Sequence, residues 1–77
     1  MRYTAQQIGK LVRQTRKMLH VTQKDLALAA NTGLRFISDL EQGKPSCELE
    51  KVLNVLHTLG IKIVLMPPQD PQVVNHE

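Results

Sequence analysis

An all-α domain of four to five short helices, followed by one lone C-terminal strand, is the fold this sequence predicts. Three observations carry the prediction. Apolar residues recur at helical spacing in four separate segments, and residues that cap or break helices stand between them. One β-branched run, Ile61-Lys62-Ile63-Val64-Leu65-Met66, sits between Gly60 and Pro67-Pro68 and is too short for an independent helix. The chain has 77 residues with one Tyr, one Phe and no Trp, so it builds one small aliphatic core.

The first helix is predicted from Thr4, its N-cap, to Leu19, with Ile8, Leu11, Val12, Met18 and Leu19 as the apolar stripe. The second starts at a capping box formed by Thr22 and Asp25, with Val21 and Leu26 placed as a hydrophobic staple. It runs to about Ala30, and its small alanines allow close packing. Asn31-Thr32-Gly33 breaks the chain, since Asn tolerates a left-handed backbone and Gly adopts it freely. The third helix spans about Leu34 to Gln42, with Ile37 and Leu40 inward and Phe36 at the edge. Gly43 stops it and Pro45 follows. Ser46 is the expected cap of a fourth helix with a stripe of Leu49, Val52, Leu53, Leu56 and Leu59, ended by Gly60. The expected organisation is one domain over 1–66, including the strand at 61–66, and a disordered polar tail over 67–77.

A lone strand leaves backbone donors and acceptors unpaired. Pairing of Ile61, Ile63, Val64 and Leu65 with the same segment of a second copy resolves this and implies a two-fold homodimer. The alternative is an extended apolar tail lying over the helices.

Composition excludes several function classes. Hydrophobic residues are 42% and charged residues 22%, a soluble globular balance. No apolar run reaches the roughly 20 residues of a membrane-spanning helix. The start, Met1-Arg2-Tyr3-Thr4, has no apolar segment behind it of the kind a signal peptide carries. The single cysteine rules out an internal disulfide and fits a reducing compartment. Two aromatic residues do not make a stacking platform for single-stranded bases. The net charge of +3 permits a nucleic-acid partner without establishing one.

His20, His57 and His76 are scattered, and no Cys/His pair has metal-ligand spacing, so no metal or other cofactor is expected. Cys47 is expected in the first turn of the fourth helix, where a thiolate is favoured. A redox role there competes with a bland small side chain. Ser38 and Ser46 have no neighbouring His and acid to suggest a triad, and no glycine-rich phosphate loop is present. Nothing in the residues supports an enzyme.

Two short helices joined by a tight turn over Gln23 to Gln42 make a helix-turn-helix. Thr22-Gln23-Lys24-Asp25-Leu26-Ala27 resembles the opening of that motif in Cro/CI/Xre-type DNA-binding domains. Phe36-Ile37-Ser38-Asp39-Leu40-Glu41-Gln42-Gly43-Lys44 resembles the recognition helix and its exit in the same family. The resemblance covers about Ile8 to Gly60. It departs at Asn31, where the family usually has Gly, and at Gly33, where a Ser or Thr cap is usual. Within the superfamily, three stretches resemble HipB-like antitoxins: Leu11-Val12-Arg13-Gln14, the run Arg35 to Glu41, and Leu53 to Leu65 leading from the last helix into the strand. The tail from Gln69 to Glu77 lacks the Trp-ended form known in that group.

The resemblance implies an Xre-type fold and a dimeric repressor of an inverted-repeat operator in double-stranded DNA. It also implies a HipA-like Ser/Thr kinase toxin as partner, repression of its own operon, no cofactor, and a bacterial cytoplasmic, nucleoid-associated location. A phage-type or orphan repressor without a toxin is one alternative. A kinase-binding inhibitor with DNA binding secondary is another.

The family's base-reading positions fall on Leu34, Arg35 and Asp39, with Ser38 beside them. Arg35 is suited to guanine O6 and N7, Leu34 to a thymine methyl, and Asp39 to a cytosine amino group. Asp39 at i+4 is alternatively an ion-pair partner that holds Arg35. Thr22, Gln23, Lys24, Gln42 and Lys44 are the candidate phosphate contacts. Arg16 borders the apolar stripe and needs a partner, and Glu41 occupies the family position that pairs with it. The expectation is a partly buried structural ion pair.

Overall fold

The computed structural model describes residues 3–69. Four helices follow in order: α1 (Ala5–Met18), α2 (Gln23–Ala29), α3 (Leu34–Glu41) and α4 (Leu49–Thr58). α3 is the central helix, packed mainly on α1 and then on α2, and α2 in turn packs on α4.

The helix starts follow from side chains. At α1, the Thr4 hydroxyl accepts from the Gln7 backbone N–H at 3.1 Å and the Gln7 side-chain Oε1 accepts from the Thr4 backbone N–H at 2.9 Å, a reciprocal box. Thr22 and Asp25 do the same at α2, at 3.0 and 3.4 Å. α3 has no side-chain cap, because its N-cap is Gly33 with an extended backbone at φ −83°. The expected freedom at this turn is used two residues earlier, by Asn31 at φ 57°.

All four helices end alike. A residue with positive φ follows the C-cap: His20, Asn31, Gly43 and Gly60. The next N–H then reaches back across the last turn, as in Val21 to Arg16, Thr32 to Ala27, Lys44 to Asp39 and Ile61 to Leu56, at 2.9 to 3.1 Å. This satisfies carbonyls that a helix end otherwise leaves bare.

The core comprises Val12, Leu26, Ala27, Ala30, Ile37, Leu40, Val55, Leu56 and Leu59, with Ile8, Val21, Phe36, Cys47, Val52 and Ile61 against it. Two expected stripes are corrected. In α1 the buried residues are Gly9, Val12 and Arg16, while Leu11 and Leu19 are exposed and Met18 is 70% exposed. In α4 Val55 is buried, and Leu49 and Leu53 face outward.

Two further expectations change. Ser46 lies in a turn, and Glu48 is the N-cap of α4, without a side-chain hydrogen bond. Cys47 therefore precedes the helix instead of occupying its first turn. Burial, aided by the charge of Asp39, outweighs Lys44 and pushes the thiol up, so no thiolate is favoured.

The expected strand at 61–66 is also absent among the described residues. Ile61 anchors on the core, and the backbone then continues without regular structure to Gln69. A strand exists only through a ladder to a neighbour, and no segment among the described residues supplies one. The expected tail at 67–77 lies mostly outside the described residues, which end at Gln69.

Candidate nucleic-acid interface

The site is organised by one buried ion pair. Arg16 Nε donates to Glu41 Oε2 at 2.6 Å and Arg16 Nη2 to Glu41 Oε1 at 3.1 Å. Arg16 Nη1 donates to the Val21 carbonyl at 2.9 Å. The two side chains are only 10% and 3% exposed. This two-pronged contact ties the end of α1 to the end of α3.

Gln23 joins the same cluster. Its Nε2 donates to Glu41 Oε1 at 3.0 Å. A carboxylate only accepts, so this bond fixes which way the Gln23 amide points. Sequence reasoning placed Gln23 among the phosphate contacts and missed this link. Only the fold shows that the first residue of α2 lies beside the last residue of α3.

The cluster sets its own charge. Burial pushes the Glu41 carboxyl up, but hydrogen bonds from Arg16 and Gln23 and the charges of Arg16 and Arg13 hold it below its ordinary value. The hydrogen bond to Glu41 keeps Arg16 charged against its own burial. Both groups remain ionised at neutral pH.

α3 turns Ile37 and Leu40 into the core. Its opposite face carries Leu34, 52% exposed, and Arg35, with Ser38 and Asp39 half-buried and Gln42 exposed. The four expected base-reading residues thus share one accessible side of one helix. Asp39 does not hold Arg35. Its carboxylate faces Lys44 at 3.5 Å, the one ion pair it makes among the described residues. The Schellman turn at Gly43 brings Lys44 back over α3, a consequence of φ 84° at Gly43. Thr22 and Lys24 are exposed at the start of α2.

No group of three or more His, Cys, Asp or Glu residues capable of holding a metal occurs among the described residues. No helix among them is long and apolar enough to cross a membrane.

A short helix, a tight turn and a second helix with an exposed polar face define a helix-turn-helix domain. A helix-turn-helix family model matches residues 12–65, more than half of the chain. An uncharacterised HTH-type transcriptional regulator of Sinorhizobium fredii is 51% identical over 65 residues, covering 84% of this chain and 86% of that relative. The chain belongs to the helix-turn-helix family, of the transcriptional-regulator class.

Proposed function

We propose that the protein is a dimeric, sequence-specific DNA-binding repressor that acts as a HipB-like antitoxin. It binds an inverted-repeat operator, neutralises a HipA-type Ser/Thr kinase and represses its own operon. The observation that carries the DNA-binding part is the accessible face of α3, held out by a core on one side and the Arg16–Glu41 pair at its end. Arg35 reads guanine in the major groove, Leu34 touches a thymine methyl, and Ser38 and Asp39 adjust the neighbouring base pair. Thr22, Gln23, Lys24, Gln42 and Lys44 set the register on the phosphates.

Dimerisation is supported by an apolar run that the described residues leave uncovered. Ile63, Val64, Leu65 and Met66 are exposed, and so is Leu53 of α4. Leu53, His57 and residues 60–64 line a groove of about 510 Å³. Pairing of Ile61, Ile63, Val64 and Leu65 with a second copy satisfies the backbone and covers this surface. Two recognition helices then meet half-sites about one helical turn apart, or a multiple of it.

The antitoxin part rests on the resemblance of Leu11–Gln14, Arg35–Glu41 and Leu53–Leu65 to HipB-like proteins. Two measurements test the whole. Selection of duplexes from a random pool yields an inverted repeat, and Arg35→Ala lowers affinity for it by roughly 5- to 150-fold without changing the melt. Recovery of the tagged protein from its native cells, with nuclease present, yields a kinase at near-equal stoichiometry. Recovery of DNA alone removes the kinase and leaves a plain repressor.

A further inference from the structure

A polar cleft of about 280 Å³ lies where α1, α2 and α3 meet, lined by Arg13, Gln23, Ser38, Glu41 and Gln42. Arg13 is exposed and belongs to none of the ion pairs among the described residues. We propose that this cleft seats one phosphodiester group of the DNA backbone, with Arg13 as its cation. The proposal rests on the DNA-binding reading and adds to it the residue and the geometry of one backbone contact.

The hydrogen-bond inventory of the cleft selects an anion. Glu41 is its one carboxylate, and both oxygens are already occupied by Arg16 and Gln23. Arg16 also balances its charge. The cleft therefore carries the uncompensated charge of Arg13, whose side chain takes part in none of the three ion pairs among the described residues. The groups left over are mostly donors. Gln23 has spent one amide hydrogen on Glu41 and keeps the other. Gln42 Nε2 donates to Ser38 Oγ at 3.4 Å, which leaves the Ser38 hydroxyl hydrogen to point elsewhere. A guanidinium, an amide hydrogen and a hydroxyl hydrogen around one space match the oxygens of a phosphate. The volume admits a phosphate group with several waters.

Position supports the same ligand. Ser38 follows Leu34 by four residues and Arg35 by three, and Gln42 follows Ser38 by four. The cleft is thus the continuation of the exposed face of α3 towards its C-terminal end. A helix seated in the major groove has sugar–phosphate backbone at its flanks, where contacts fix register without reading sequence. Arg13 reaches this place from α1, three residues before Arg16, so the clamp that holds α3 also sets the cation beside it.

The test uses the full chain, Arg13→Gln and Arg13→Lys. Fluorescence anisotropy follows binding to two duplexes, one of random sequence and one enriched from a random pool by the wild type, over a series of KCl concentrations. Arg13→Gln should lose affinity severalfold and by the same factor on both duplexes. Its slope of log K against log[KCl] should become shallower by about 0.9 per bound protomer. Arg13→Lys should keep the wild-type slope. Arg13 is exposed, so both variants should melt with the wild type. An unchanged slope in Arg13→Gln overturns the proposal, as does a loss confined to the enriched duplex, which makes Arg13 a base reader. A wild type that binds neither duplex overturns the DNA-binding reading together with it.

Discussion

Replacing Glu41 with alanine tests the clamp that joins α1, α2 and α3. The substitution removes two hydrogen bonds from Arg16 and one from Gln23. It leaves a guanidinium only 10% exposed with one remaining acceptor, the Val21 carbonyl. Breaking a fully buried ion pair costs about 3–5 kcal/mol, mostly as the penalty of the stranded charge. Slight exposure of Arg16 places this one near the lower end, about 3 kcal/mol. At about 0.05–0.15 kcal/mol per residue, a chain of 77 residues has a total stability of about 4–12 kcal/mol, so this loss takes a quarter to three quarters of it. Thermal denaturation followed by circular dichroism should show a melting temperature lower by about 12–24 °C. DNA affinity should fall in step with the folded fraction. Acid provides a second signature. Glu41 has a folded pKa below its ordinary 4.5, so its contribution is complete above that value and is lost as pH falls through the folded pKa. The stability gap between wild type and variant should therefore narrow below pH 4.5. A Glu41→Ala protein that melts within about 3 °C of wild type at neutral pH refutes the assignment of the pair as structural.

Three other outcomes follow from the packing. Gly9→Ala puts a Cβ 2.1 Å from the Leu40 carbonyl oxygen and 3.0 Å from that of Glu41, both backbone atoms, so α1 must move off α3. Urea denaturation should show a loss of about 3 kcal/mol, and an unchanged midpoint contradicts the close approach. Thr22→Ala removes the acceptor for the Asp25 N–H and should cost about 1 kcal/mol by the same measurement, with the helix-turn-helix still folded. Ile63→Asp and Leu65→Asp place charge on the exposed apolar run, and on the proposed pairing sedimentation should find a dimer for the wild type and a monomer for each variant. A dimer that survives both substitutions uses another surface.

Legibility in the sequence varied with how local the determining interaction was. The capping box of α2 was readable because Thr22 and Asp25 satisfy each other's backbone within one turn. The left-handed turn at Asn31 was readable because few residues tolerate that geometry. His20 takes the same conformation at φ 60° and was not anticipated, although His, like Asn, is enriched in that region. In α4 the predicted stripe ran through Leu49, Val52, Leu53, Leu56 and Leu59 and left out Val55. Packing in the tertiary structure buries Val55, Leu56 and Leu59, half-buries Val52 and leaves Leu49 and Leu53 exposed.

The candidate site divides in the same way. The exposed side of α3 followed from the inward positions of Ile37 and Leu40 alone, because one helical period fixes the other face. The partner of Asp39 did not. Sequence spacing placed Arg35 within reach, whereas the turn at Gly43 carries Lys44 back to it.

By itself the sequence determined the four helices, the tight turn between α2 and α3, and which face of α3 is presented. Those properties depend on caps, breakers and periodicity, which act over a few residues. Only the tertiary structure decided that Gln23 shares Glu41 with Arg16, that Arg13 borders the resulting cleft, and that residues 61–66 find no ladder among the described residues. Each of these depends on groups from different helices, or from no available neighbour, meeting in space. No local pattern specifies such distances, and the packing of α1 and α2 on α3 sets them.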